Sequence, residues 1–263
     1  MRNKLTDELA VCGMNAVLAV GQYHPLTINR LFLREDRLKS FTSICKQLAE
    51  RKRPYKICEN EELERICKSV HHQGVAAMIE EPVIEPLSME DLDSWADEGK
   101  TGVILHSVGN DHNLGAIARA AAFFDVSFIV LNEKDTAFTD GTRFTTSAYR
   151  VAEGGLEHLT VRKVENTDAF LKDASKRLVT IGTDTRARMR ISDLSGIVKS
   201  SKARLQAGRP GIALVLGNEE TGLPQSVKDQ CSCLLRVPGS GNIDSLNVAQ
   251  AAALFLYAIF ETV

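Results

Sequence analysis

One unbroken apolar run and a second short run near the C-terminus constrain the fold more than any other feature of this sequence. Ile212 to Leu216 runs into the polar triplet Gly217-Asn218-Glu219, and Cys233 to Val237 breaks at Pro238 into a loop holding Gly239 and Gly241. That loop ends at Ser245-Leu246-Asn247, and a long apolar helix follows to Tyr257. A short run without polar alternation must be covered on both faces, as strands of a parallel sheet are. Ligands of such sheets collect beyond the carboxyl ends of the strands. Gly217 and Gly241 would let backbone approach a ligand that a Cβ would push away. Ser245 is a favourable N-cap. The helix after it has only Asn247 and Gln250 as polar side chains before Tyr257, so it belongs in a core or an oligomer interface. An α/β fold with a parallel sheet and a small-molecule cleft follows. An ordinary doubly wound domain with glycine turns fits this segment equally well.

The 263 residues permit one large or two small domains, and the 44% hydrophobic and 25% charged fractions are those of a globular protein. A formal net charge of −2 excludes nucleic-acid binding by bulk attraction, so such contacts would need local basic patches. Arg51-Lys52-Arg53 reads as a solvated helix end compensating the dipole, or as a phosphate contact. Arg186, Arg188 and Arg190 read as a solvated loop, or as a clamp facing RNA. Lys199, Lys202, Arg204 and Arg209 continue this basic balance. The six cysteines show no CxxC pairing and no matching histidine pair, so no metal is expected. Without an apolar run of membrane length or a secretory h-region, the expectation is a cytosolic protein with no membrane partner.

Residues 1–80 read as a small α/β domain. Strands are expected at Asn29–Leu33, Tyr55–Cys58 and Val75–Ile79, with helices at Arg37–Arg53 and, capped by Asn60, at Glu61–Cys67. Residues 81–99 are acidic and interrupted by Pro82 and Pro86, which predicts a linker with a short helix near Glu90–Trp95. A larger domain over 100–263 starts with a strand at Gly102–His106. Asn113 then caps an alanine-rich helix over Leu114–Phe124. Further strands are expected at Ser127–Leu131 and Arg177–Thr183. Gly115 inside that helix costs about 1 kcal/mol relative to alanine, so something must approach closely there.

The patterns LGNEETGL and VPGSGNIDSLNV resemble the second and third motifs of the SpoU (TrmH-type) branch of the SPOUT RNA methyltransferases. The first motif is similar to Asn113-Leu114-Gly115-Ala116-Ile117-Ala118-Arg119, in the right order upstream. The segment Thr142–Arg150 with Ala152-Glu153-Gly154-Gly155 matches the region between the first and second motifs. Cys12–Val17 and His71–Val75 resemble the ribosomal-protein-like RNA-binding domain that precedes many SpoU catalytic domains. Gly239 and Ala249 depart from the family, where a bulky residue and a serine are common, but the loop length from Pro238 to Ser245 is kept.

The resemblance implies transfer of a methyl group from S-adenosylmethionine to a ribose 2′-hydroxyl of rRNA or tRNA. It implies a C-terminal trefoil knot, among the rare exceptions to unthreaded chains, and a homodimer with sites at the subunit interface. Thr183, Gly217, Val237 and Leu246 would border or grip the cofactor. Glu219 would hold loop geometry or meet ligand hydroxyls, Ser245 and Asn247 would set the pocket floor and the acceptor side, and Asn113 and Arg119 would face the acceptor ribose. A guanidinium does not readily lose a proton, so Arg119 suits an electrostatic or phosphate-clamping role better than that of a base. A structural salt bridge for Arg119, and a mere capping role for Asn113, are the plainer readings. Two rival functions are an RNA-binding homologue that has lost catalysis and a dinucleotide-binding enzyme. The latter expects an early G-x-G-x-x-G, which the sequence lacks.

Overall fold

The computed structural model describes residues 2–3, 8–133, 144–205 and 209–263, with side chains described at all of these except 2–3 and 202–205. In chain order the first elements are β1 Arg2–Asn3, β2 Glu8–Cys12, α1 Met14–Tyr23, β3 Ile28–Leu33, α2 Thr42–Glu50, β4 Tyr55–Ile57, α3 Asn60–Cys67 and β5 Val75–Glu80. Then come α4 Met89–Asp97, β6 Thr101–Leu105, α5 Asp111–Phe123, β7 Phe128–Asn132, α6 Thr146–Ala152, β8 Thr160–Val164, α7 Thr167–Ala174 and β9 Val179–Thr183. The chain closes with β10 Met189–Arg190, α8 Leu194–Leu205, β11 Ile212–Leu216, α9 Gln225–Gln230, β12 Cys233–Arg236 and α10 Val248–Phe260. It divides into two compact units, residues 1–83 with 144–158, and residues 84–143 with 159–263.

The first unit is a five-stranded mixed sheet in the order β1-β2-β5-β3-β4, with β2 and β3 antiparallel to β5 and β4 parallel to β3. β2, which the sequence reading missed, lies inside this sheet and is buried along its whole length. α2 is shorter than the expected Arg37–Arg53. A 3-10 turn occupies Glu35–Arg37, and the helix stops before Lys52, which takes a left-handed φ of 56°. Arg51 wraps back, donating to the Pro25 carbonyl at 2.8 Å and the Leu26 carbonyl at 2.6 Å. That guanidinium therefore closes carbonyls left open by a second 3-10 turn, Pro25–Thr27. Asn60 is not the cap of α3. The cap position is Glu59, without a side-chain capping bond. Of the stretch 142–150, residues 142 and 143 lie outside the described residues, and the rest leads into α6, which packs on β2. Asn15 donates to Glu153 at 3.1 Å.

The second unit is a seven-stranded sheet, parallel throughout, in the order β10-β12-β9-β11-β6-β7-β8. β6, β7 and β11 are buried at every residue, as continuous apolar runs require. One face carries a core of Leu92, Trp95, Ile104, Phe128, Leu171, Ala213, Val215 and neighbours. Trp95 stacks on Phe128 with ring centroids 3.8 Å apart, and Gly102 is obligatory there because a Cβ would fall 1.9 Å from the Phe128 ring. The acidic stretch thus holds α4, whose Leu92 and Trp95 face inward. The helix starts in a Ser88–Asp91 capping box, and Asp91 also pairs with Arg162 at 3.0 Å. On the other side of the sheet α10 packs along α5 and against β11. No described helix is long and apolar enough to cross a membrane. Among the described residues no cluster of His, Cys, Asp and Glu could hold a metal ion, and all six cysteines are free.

Candidate functional site

The site grows from the carboxyl ends of the central strands of the second unit. β6 and β11 run in register up to Leu105 and Leu216, and the His106 amide continues the ladder by donating to the Leu216 carbonyl at 2.9 Å. Beyond this point β11 turns into the loop 217–223. Gly217 is needed by the chain itself, since a Cβ would lie 2.5–2.6 Å from the backbone of Gly222 and Leu223. The loop's own backbone is thus enough to exclude a side chain at this position.

Asn218 holds the loop closed. Its Oδ1 accepts from the amides of Glu220 at 2.9 Å and Thr221 at 3.1 Å, and its Nδ2 donates to the Ser107 carbonyl at 2.9 Å. Ser107 carries a left-handed φ of 58°, so the turn leaving β6 is strained and is fastened from across the cleft. The sequence reading quoted Asn218 in its motif but gave it no role. An asparagine directly after a buried strand, with a threonine three residues on, is the local signature of such a turn.

Asn113 is the hub of the cluster. Its Nδ2 donates to Glu219 Oε1, and its Oδ1 accepts from Asn247 Nδ2 at 3.0 Å. Residues separated by 106 and 134 positions along the chain are joined through one carboxamide. Asn113 is not the cap of α5. Asn110 is, accepting from the His112 amide at 2.8 Å, which frees the Asn113 side chain in the first turn to reach across. Ser245 likewise is not the cap of α10. Asn247 is, accepting from the Ala249 amide at 2.9 Å while its Nδ2 meets Asn113. A carboxamide has both a donor and an acceptor end, so it can cap and cross-link at once; a serine hydroxyl could not span both.

The remaining expected residues surround this cluster. Thr183 ends β9 and donates its hydroxyl to the Val215 carbonyl at 3.3 Å, tying β9 to β11. Val237 follows β12 directly and is half-buried, whereas Ser245 and Leu246 are exposed on the loop before α10. Gly239 and Gly241 have no heavy atom within 4 Å of where a Cβ would stand, so the backbone here is open to an approaching group. Arg119 lies on the exposed side of α5, six residues past Asn113 and so about 9 Å further along the axis. Gly115, between them, is buried.

Residues 100–257 match the SpoU rRNA Methylase family, and residues 10–83 match the RNA 2'-O ribose methyltransferase substrate binding family.

The chain belongs to the SpoU rRNA methylase family.

Among its relatives is the 23S rRNA (guanosine-2'-O-)-methyltransferase RlmB of Nitrosomonas europaea, 28% identical over 262 residues, which cover 98% of this chain and 93% of RlmB. Another is the uncharacterised tRNA/rRNA methyltransferase YfiF of Escherichia coli O157:H7, 26% identical over 97% of this chain and 69% of YfiF. In fold, this SpoU chain is similar to the AdoMet-bound rRNA methyltransferase of Sinorhizobium meliloti, with a TM-score of 0.73 at 21% identity, covering 97% of this chain and 87% of that one. The SpoU motifs read from the sequence therefore lie where the parallel sheet gathers its loops. The second and first motifs touch through Glu219 and Asn113, and the third joins them through Asn247.

Proposed function

We propose that this protein is an S-adenosylmethionine-dependent RNA methyltransferase that acts on a ribose 2′-hydroxyl of rRNA or tRNA. The observation that carries this reading is the single hydrogen-bonded cluster Glu219–Asn113–Asn247, in which three separated family motifs converge. S-adenosylmethionine, when bound, supplies an electrophilic methyl group on a sulfonium. The exposed backbone of the loop 237–247, with nothing crowding Gly239 or Gly241, suits the adenine and ribose edges of that cofactor. Val237, Leu246, Gly217 and Thr183 line its approach in this reading.

A ribose hydroxyl is protonated at neutral pH, so the site must favour its ionised form. Arg119 serves as a fixed cation beside the developing alkoxide or the adjacent phosphate, since it cannot act as a base near neutrality. Asn113 and Asn247 orient the acceptor, with Glu219 holding Asn113 and Ser245 on the acceptor side. Residues 1–80 serve as the substrate-binding domain, residues 100–263 as the catalytic one, and 81–99 lie between.

The protein works as a cytosolic homodimer whose C-terminal segment is threaded as a trefoil knot. The apolar face shared by α5 and α10 supports the dimer. Phe123 is 80% exposed and Phe260 49%, and both belong to a cluster of rings with Phe124 and Tyr257. Such a patch is costly to leave in water. Calorimetric titration with S-adenosylmethionine tests the cofactor assignment. Saturable binding that is weakened in Leu246→Asp is expected, and no heat of binding in the intact protein would refute it.

A further inference from the structure

The loop leaving β9 carries Arg186, Arg188 and Arg190 in quick alternation, all three exposed, with the buried Ala187 anchoring it. The loop is pinned at both ends. Asp184 accepts from the Arg186 amide at 2.9 Å, and Asp193 accepts from the Arg190 amide at 2.8 Å. Its last two residues form β10, the edge of the parallel sheet, where Arg190 stands in register with Arg236 of β12. In-register residues of neighbouring strands project to the same face with backbones about 4.8 Å apart, so Arg190 and Arg236 leave the sheet on one face as neighbours.

The two carboxylates that fasten the loop's backbone, Asp184 and Asp193, form no ion pair with these arginines. Asp184 is engaged by Lys228 at 2.7 Å. Burial alone would raise its pKa, but the bonds from Lys228 and the Arg186 amide outweigh that and hold the carboxyl low. Among the described residues none of the four arginines forms an ion pair. Like charges set opposite one another on a sheet are destabilising unless a counter-charge arrives. A chain whose net charge is only −2 has concentrated four arginines on one ordered edge. Arg190 and Arg236 are the last residues of β10 and β12, at the carboxyl ends of these strands, and Arg236 directly precedes Val237 of the open loop.

We propose that Arg186, Arg188, Arg190 and Arg236 form a phosphate-binding row that holds the sugar–phosphate backbone of the acceptor RNA at the mouth of the site. The inference rests on the reading of the protein as an RNA methyltransferase. Guanidinium forks match phosphate oxygens in pairs, and such contacts position the strand without reading its sequence.

The test is the salt dependence of RNA binding by the full-length protein, with fluorescein-labelled oligouridylate as probe. Each single-strand phosphate contact contributes about 0.7 to the slope of log affinity against log salt. In Arg186→Gln/Arg188→Gln/Arg190→Gln the slope should shrink by about 2, so that between 50 and 200 mM salt the variant loses roughly 20-fold less affinity than the parent. S-adenosylmethionine affinity should not change. Lys172→Gln/Lys176→Gln, in the last turn of α7 and just beyond it in the same unit, should leave the slope unaltered. An unchanged slope in the arginine variant, an equal loss in the lysine variant, or weakened cofactor binding with the slope intact would each overturn the proposal. Methyl transfer by the parent protein to any cellular RNA is scored separately. Its absence would refute the enzymatic reading, whereas the slope comparison judges the arginine row.

Discussion

Substituting Gly217 by alanine tests the construction of the site with one methyl group. The new Cβ would stand 2.5 Å from the Gly222 carbonyl carbon and 2.6 Å from the Leu223 nitrogen. Restoring an ordinary carbon separation of about 3.5 Å requires the two backbone segments to part by about 1 Å. Neither is the end of a flexible side chain, so the strain cannot be absorbed by a rotamer change. Overpacking of this kind costs about 1–3 kcal/mol. For a unit of this size 2 kcal/mol corresponds to a fall in melting temperature of about 4–8 °C.

Trp95 is the single tryptophan and lies in the core of the second unit, so its fluorescence reports the unfolding of that unit. The loop that moves also carries Asn218 and Glu219. A displacement of about 1 Å in such a positioning segment is enough to lower methyl-transfer activity on the order of 100-fold. Gly239→Ala is the matched control, because nothing lies within 4 Å of its Cβ position. It should change stability by less than about 0.5 kcal/mol. Equal melting temperatures for the two variants would refute the claim that Gly217 exists for contact within the loop.

Four further outcomes are expected. In a double-mutant cycle, Asn113→Ala and Glu219→Ala should show a coupling of about 1–2 kcal/mol in urea unfolding, whereas additivity would mean the two side chains do not meet. Burial lifts the Glu157 carboxyl to about 7, although His24 stands 3.1 Å away, because that histidine is more than half exposed and offers a counter-charge only when protonated. The folded state therefore keeps a proton that the unfolded state releases from 4.5 upward, and stability should fall as pH rises from 4.5 to about 7. Glu157→Gln should flatten the melting temperature of the first unit across that window, and a persistent slope would assign it to other groups. Phe123→Asp with Phe260→Asp should turn a dimer into a monomer in light scattering; an unchanged mass would move the interface off the α5–α10 face.

The sequence revealed the parallel sheet where local chemistry and environment agree. Ile212–Leu216 was readable to the residue, because five consecutive apolar side chains have no reason to coexist unless both faces are covered. β8 was missed for the opposite reason. It is an outer strand, Thr160–Val164, with arginine and lysine among its residues and no fully buried position. β10 was missed because two residues are too few to show any period.

At the site the residue types were legible, but the division of labour was not. Asn110 and Asn113 have the same intrinsic preference for a cap, and only the presence of Glu219 and Asn247 decides which of them crosses the cleft. The same holds for Ser245 and Asn247 at α10. Gly217 was correctly marked as a place where a Cβ is excluded, yet the excluding atoms belong to residues five and six positions on. Long-range partners of this kind leave no periodic trace in a chain.

The most direct test of the account is to incubate the protein with total ribosomal and transfer RNA and S-adenosylmethionine labelled in its methyl group, digest the RNA to nucleosides, and identify the labelled species by mass. Label on the ribose oxygen of a nucleoside, greatly reduced in Arg119→Ala, is the predicted result. Label confined to bases, or none in any RNA while the cofactor still binds, would contradict it.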